Sequence, residues 1–159
     1  MTRYPDPRLG LIHLDSCAFD PKYDPEDKAS EKIIRYADEG CINAIIAHSA
    51  RKEIEHPNTP NWVKTHAQRR IFTRPTPLTQ GEFQRKKQIL GVLTGNGSPD
   101  KHIQDATHIF EASKYGGLYF VTTDKRILNG AIQIHQICRV NIVKPSELIQ
   151  ILDGYLQRP

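Results

Sequence analysis

Short apolar runs alternate with amphipathic helical stretches along this chain, and that alternation limits the fold more than any other feature. "LGLIHL" (9–14) ends directly at Asp15 and reads as a buried strand. "DPEDKASEKIIRYADEG" (24–40) reads as a helix with Pro25 at its first position, Ile33, Ile34 and Ala37 on its inner face and Gly40 at its end. "CINAIIA" (41–47) is the second strand, and "SARKEIEH" (49–56) a short helix between a Ser49 cap and Pro57. Residues 57–78 are rich in Pro and Thr and read as irregular, with a helix around 60–70. "TQGE" (79–82) is a capping box that opens a helix to Thr94, with Phe83, Ile89, Leu90 and Leu93 inside. Ser98 and Pro99 start the next helix, which runs to Tyr115 and stops at Gly116-Gly117. The strand "LYFVT" (118–122), one further helix, the strand "RVNIV" (139–143) and the helix "PSELIQIL" (145–152) complete the chain.

Strand–helix alternation predicts an α/β domain with a mainly parallel sheet covered on both faces. At 159 residues this is one domain, 1–159, without repeat or linker. Hydrophobic content of 38% supports a single core. No run approaches a membrane span, and no apolar leader opens the chain, so a soluble, cytoplasmic protein without a membrane partner is the expectation. Cys17, Cys41 and Cys138 are odd in number and lack metal-knuckle spacing, so they read as reduced thiols, mostly in the core. A net charge of +4 permits a polyanionic partner without requiring one.

In parallel sheets ligands gather beyond the carboxyl ends of the strands. Asp15 follows the first strand, and Asp124 lies two residues past the strand that Thr122 closes. At about 100° per residue, Asp105 shares the inward stripe of Ile109 and Ala112, one turn into its helix. On the 49–56 helix, Glu53 borders the face of Ala50 and Ile54, whereas Glu55 points to water. Asp15, Glu53, Asp105 and Asp124 are therefore candidates for one cleft, and clustered carboxylates are tolerable where divalent cations sit among them. Oxygen-only ligation suits Mg²⁺ or Mn²⁺, which activate water in phosphodiester hydrolysis. Plainer roles compete: Asp15 and Asp124 as helix or turn caps, Glu53 as a solvated acid. Asp105 is the hardest to place in such a role.

At these residues the chain resembles PIN-domain ribonucleases. The matching pieces are "LIHLDSCAF", "AHSARKEIEH", "DATHIFEASKYGG" and "FVTTDKRIL", with "VNIVKPSELIQIL" similar to the family's last strand and helix. The resemblance implies a three-layer α/β/α sandwich around a roughly five-stranded parallel sheet and Mg²⁺- or Mn²⁺-dependent cleavage of single-stranded RNA. It makes Asp15, Glu53, Asp105 and Asp124 metal ligands or water-positioning acids. Thr122 matches a hydroxyl residue that hydrogen-bonds within the site, and Ser16 the small hydroxyl residue after the first acid. Cys17 stands where many members have Asn or Ser, and Arg126 where some carry a further acid. The resemblance also admits a homodimer and a protein inhibitor (an antitoxin) as partners.

Other signals are weaker. His102, Asp105 and His108 spread over about 120° of helix, and the histidines read as surface or supporting groups rather than ligands. Arg69, Arg70, Arg74, Arg85, Lys86 and Lys87 read first as a solvated face and second as phosphate contacts. Trp62 could stack a base or fill a core, and Lys101 could hold a phosphate or pair with Asp105. Three other readings stay open: a PIN-like RNA-binding scaffold that no longer cuts, the toxin of a toxin–antitoxin pair, and an Asp-nucleophile phosphotransferase. The last is disfavoured because Cys17 occupies the place of its second acid.

Overall fold

The computed structural model describes residues 4–18, 21–46, 57, 61, 78–95, 97, 102–114 and 116–157. These form four strands, β1 (Leu11–Leu14), β2 (Asn43–Ile45), β3 (Gly117–Val121) and β4 (Asn141–Val143). Six α-helices accompany them: α1 (Glu26–Asp38), α2 (Gln80–Thr94), α3 (Ile103–Lys114), α4 (Lys125–Asn129), α5 (Ala131–Cys138) and α6 (Pro145–Leu156). All strand pairs are parallel and their order is β2-β1-β3-β4. The expected α/β class is therefore observed. The described residues hold four of the roughly five strands expected.

Alternation along each strand sends successive side chains to opposite faces, and each face has its own helical layer. Ile12 and Leu14 of β1, Tyr119 and Val121 of β3 and Val143 of β4 pack with Ala29, Ile33 and Ile34 of α1 and Leu148, Ile149 and Leu152 of α6. Phe120 and Ile142 point the other way, onto Ile89 and Leu93 of α2, Ala106, Ile109, Phe110 and Ala112 of α3, Ile127 of α4 and Ile134 of α5. Full burial of a side chain of this size stabilises by roughly 1.5–3 kcal/mol. Ile33 and Ile34 thus commit α1 to the sheet although the helix is polar elsewhere.

This layering follows from handedness. The chain steps from β1 to β2 in one direction and then crosses back past β1 to β3 and on to β4. Right-handed crossovers therefore place α1 on one face and α2 to α5 on the other. The reversal lies between β1 and β3, so the sheet's topological switch point is the gap between these two neighbouring strands.

Several sequence expectations shift. The first strand begins at Leu11, because Asp6 caps a 3₁₀ turn at Pro7–Leu9 by accepting the Arg8 amide, leaving Leu9 exposed. Phe83 of α2 is half-exposed rather than inside, whereas Ile89 and Leu93 are buried as expected. The Thr79–Glu82 capping box is present, and Glu82 also pairs with Lys114 of α3 at 2.6 Å. α3 begins at Ile103, with His102 in a turn; Ser98 and Pro99 lie outside the described residues. The single helix expected after Asp124 is two, broken at Gly130. A Cβ on Gly130 would stand 2.8 Å from Val92 Cγ1 of α2, so the glycine permits close approach of the two helices. Gly116 takes a left-handed φ of 71° to end the α3 connection. A Cβ on Gly117 would fall 2.4 Å from the Ala112 carbonyl oxygen and 2.8 Å from His13 Cδ2. The expected helix at 49–56 lies outside the described residues, and of the one around 60–70 only Asn61, in helical conformation, is described.

Candidate functional site

β1 and β3 end side by side at the switch point, and their next residues are Asp15 and Thr122. The Asp15 amide donates to the Val121 carbonyl at 2.9 Å, and the Thr122 amide to the Val143 carbonyl at 3.0 Å. The ladder thus extends one residue past each strand and fixes both side chains. Asp15 is 6% exposed and Thr122 is fully buried.

The Thr122 hydroxyl joins two acids. It donates to Asp15 Oδ2 at 2.7 Å and accepts the Asp124 amide at 3.1 Å. Cys17, on the 3₁₀ turn Ser16–Ala18, closes the network. Its thiol donates to Asp15 Oδ2 at 3.3 Å, lies 3.3 Å from the Thr122 hydroxyl and accepts the Thr123 amide at 3.4 Å. The Ser16 amide donates to Asp15 Oδ1 at 2.9 Å. Asp15 is therefore a buried acceptor held by hydroxyl, thiol and amide donors, which satisfies a desolvated carboxylate without a cationic side chain. Burial, reinforced by the negative charge of Asp15, pushes the Cys17 thiol up to about 11, so it serves here as a neutral donor.

Asp124 is half-buried and caps α4 by accepting the Arg126 amide at 2.8 Å. Among the described residues no hydrogen bond engages its second carboxylate oxygen. Asp105 is half-buried in the first turn of α3, beside the buried stripe of Ala106, Ile109 and Ala112. Because α3 leads through Gly116 into β3, its first turn lies toward the carboxyl edge of the sheet. The buried His102 confirms that end. Arg126 Nη1 lies 2.7 Å from His102 Nε2 and 3.3 Å from Nδ1, joining the start of α3 to α4. Arginine offers only donors, so an imidazole nitrogen is the acceptor in this contact.

Of the five residues singled out from the sequence, Asp15, Thr122 and Asp124 form one bonded unit. Asp105 stands at the same sheet edge. Glu53 lies outside the described residues, as do Glu55, Lys101, Trp62, Arg69, Arg70 and Arg74. Among the described residues no group of three or more His, Cys, Asp or Glu is placed to hold a metal ion. The capping role considered for Asp124 is real, and it leaves one carboxylate oxygen uncommitted.

Three features were missed. Cys17, read as a reduced thiol and as a departure from the family's Asn or Ser, is a donor to Asp15. Its position two residues after the acid was the available signal. His102 and His108, read as surface or supporting groups, are both buried, which leaves only the supporting alternative. His13, taken as one more member of an apolar run, is 1% exposed with neither ring nitrogen hydrogen-bonded among the described residues. The thiols differ from the expected core placement: Cys41 is exposed, and Cys17 and Cys138 are half-buried.

Compared with known proteins, the chain matches no family model and no curated sequence. Among the described residues no helix is long and apolar enough to cross a membrane.

Proposed function

We propose that this chain is a divalent-metal-dependent endoribonuclease of the PIN type, acting on single-stranded RNA. The observation that carries the reading is the Asp15–Thr122–Asp124 unit at the switch point, where open parallel sheets bind ligands. A buried carboxylate in that position is costly as mere structure, and hydroxyl and thiol donors orient it without neutralising it. The donor chemistry fits Mg²⁺ or Mn²⁺: carboxylate oxygens, with Asp15 fixed in place and Asp124 keeping an uncommitted oxygen. Asp15 and Asp124 would hold the cation, with Asp105 and Glu53 completing the acidic set. The chemistry such a cation supplies is activation of a water and neutralisation of charge developing on the phosphate. Thr122 keeps the two acids in register, and Cys17 holds Asp15 against the β3 end.

The test has two arms. Millimolar Mn²⁺ should raise the melting temperature of the wild type by mass action and leave that of Asp105→Asn unmoved. Unstructured RNA should be cut with Mg²⁺ or Mn²⁺ and left intact in EDTA. Cleavage that persists in EDTA, or an equal melting shift in both proteins, refutes the reading. A second reading, a PIN-like RNA-binding module that does not cut, draws on Arg126, whose cationic side chain follows Asp124 so closely. Binding of RNA without cleavage under any divalent cation would select it.

A further inference from the structure

The break at Gly130 opens a cleft of roughly 370 Å³ between α2, α4 and α5, lined by Val92, Lys125, Arg126, Asn129, Gly130 and Gln133. Its composition is one-sided. Among the described residues two cations and two side-chain amides line it, and no carboxylate does. Among the described residues neither Lys125 nor Arg126 pairs with an acid. Arg126 is steadied from behind: one guanidinium nitrogen is engaged by the buried His102, which leaves its other N–H donors for the cleft. The cleft also begins where the candidate site ends, since the Arg126 amide is the group that the Asp124 carboxylate accepts.

We infer that this cleft binds the phosphate backbone of a single-stranded RNA as the strand leaves the acidic site. The inference rests on the nuclease reading for the identity of the strand, and on the cleft's own residues for the anion. A polyanion cannot approach Asp15 and Asp124 without nearby cations, and Lys125 and Arg126 supply them at the adjoining surface. Among the described residues no aromatic side chain lines the cleft, so this lining offers no stacking platform for bases. Its contacts are of the kind that position a strand without reading its sequence.

The experiment measures binding of unstructured oligoribonucleotides of different sequences in EDTA, across a salt series, so that cleavage does not intervene. The variants are Lys125→Gln/Arg126→Gln and, separately, Gln133→Glu, which leaves the Arg126–His102 contact in place and adds a negative charge to the cleft. All three positions are exposed, and melting curves verify that the folds are kept. Removing two phosphate contacts should make the negative slope of log K against log salt shallower by about 1.4. Affinity should fall roughly tenfold for every sequence alike. Gln133→Glu should weaken binding in the same sequence-independent way. Affinity and slope within twofold of wild type in both variants overturn the inference. If the variants lose binding while the wild type cuts nothing under Mg²⁺ or Mn²⁺, the cleft stands and the nuclease reading falls. If the wild type cuts and the variants bind and cut equally well, the cleft falls and the nuclease reading stands.

Discussion

His13 makes a quantitative expectation about acid stability. The ring sits in β1, one of the two inner strands, pointing into the α2–α5 layer against Gly117, and burial depresses its pKa from the ordinary 6.5 to about 4. In the unfolded chain it titrates normally, so between those values the unfolded state binds more protons. Stability is then complete above about pH 6.5 and is lost as pH falls toward the folded value. Integrating between about pH 7.5 and 4.5 gives a loss of roughly 2–3 kcal/mol from this group alone. Carboxylates add their own acid dependence, so the measurement is a difference. Urea unfolding of wild type and His13→Leu across that range should show the wild type losing roughly 2–3 kcal/mol more than the variant. The leucine also removes two buried nitrogens without partners among the described residues, each worth roughly 1–3 kcal/mol. The variant should therefore be at least as stable at neutral pH. Parallel pH profiles for the two proteins would refute the assignment of His13 as a neutral, unsatisfied core group.

Thr122→Val keeps the shape but strands an acceptor on Asp15 and the Asp124 amide, so chemical unfolding should show a loss of roughly 1–3 kcal/mol. Under the nuclease reading it should also weaken the melting response to Mn²⁺. Gly117→Ala drives a methyl into the Ala112 carbonyl, a backbone group that cannot swing aside; expression and circular dichroism should report a protein destabilised by at least about 3 kcal/mol, and pairing it with His13→Ala should not restore stability. Thiol labelling followed by mass spectrometry near pH 8 should modify the exposed Cys41 well before Cys17, whose thiol is held neutral by burial and by Asp15; equal rates would contradict the network. Glu26→Ala should destabilise by roughly 2 kcal/mol in thermal or urea melts. The buried Glu26 carboxylate accepts both the amide and the hydroxyl of Ser146 and so ties α1 to the start of α6.

The residue pattern alone determined the class of fold. Short apolar runs bounded by caps and glycine stops are local signals, and four of them became four parallel strands because a half-buried strand and an amphipathic helix each declare themselves within a few residues. The same local logic placed Asp15 directly after the first strand, Thr122 at the close of the third, and Asp124 two residues past it. Bounds moved where a local competitor won, as when Asp6 capped a 3₁₀ turn and removed Leu9 from β1. Long-range choices were not legible. Only the strand order β2-β1-β3-β4 puts the ends of β1 and β3 together, and thereby lets Thr122 bond Asp15 across 107 positions of sequence. Only packing against Val92 explains why Gly130 splits one helical pattern into two and opens a basic cleft beside Asp124. Burial of His13 and the contact between His102 and Arg126 likewise depend on which faces meet. A sequence reports the periodicity of each element, but partners and burial are properties of pairs of elements, and those are decided when the layers close.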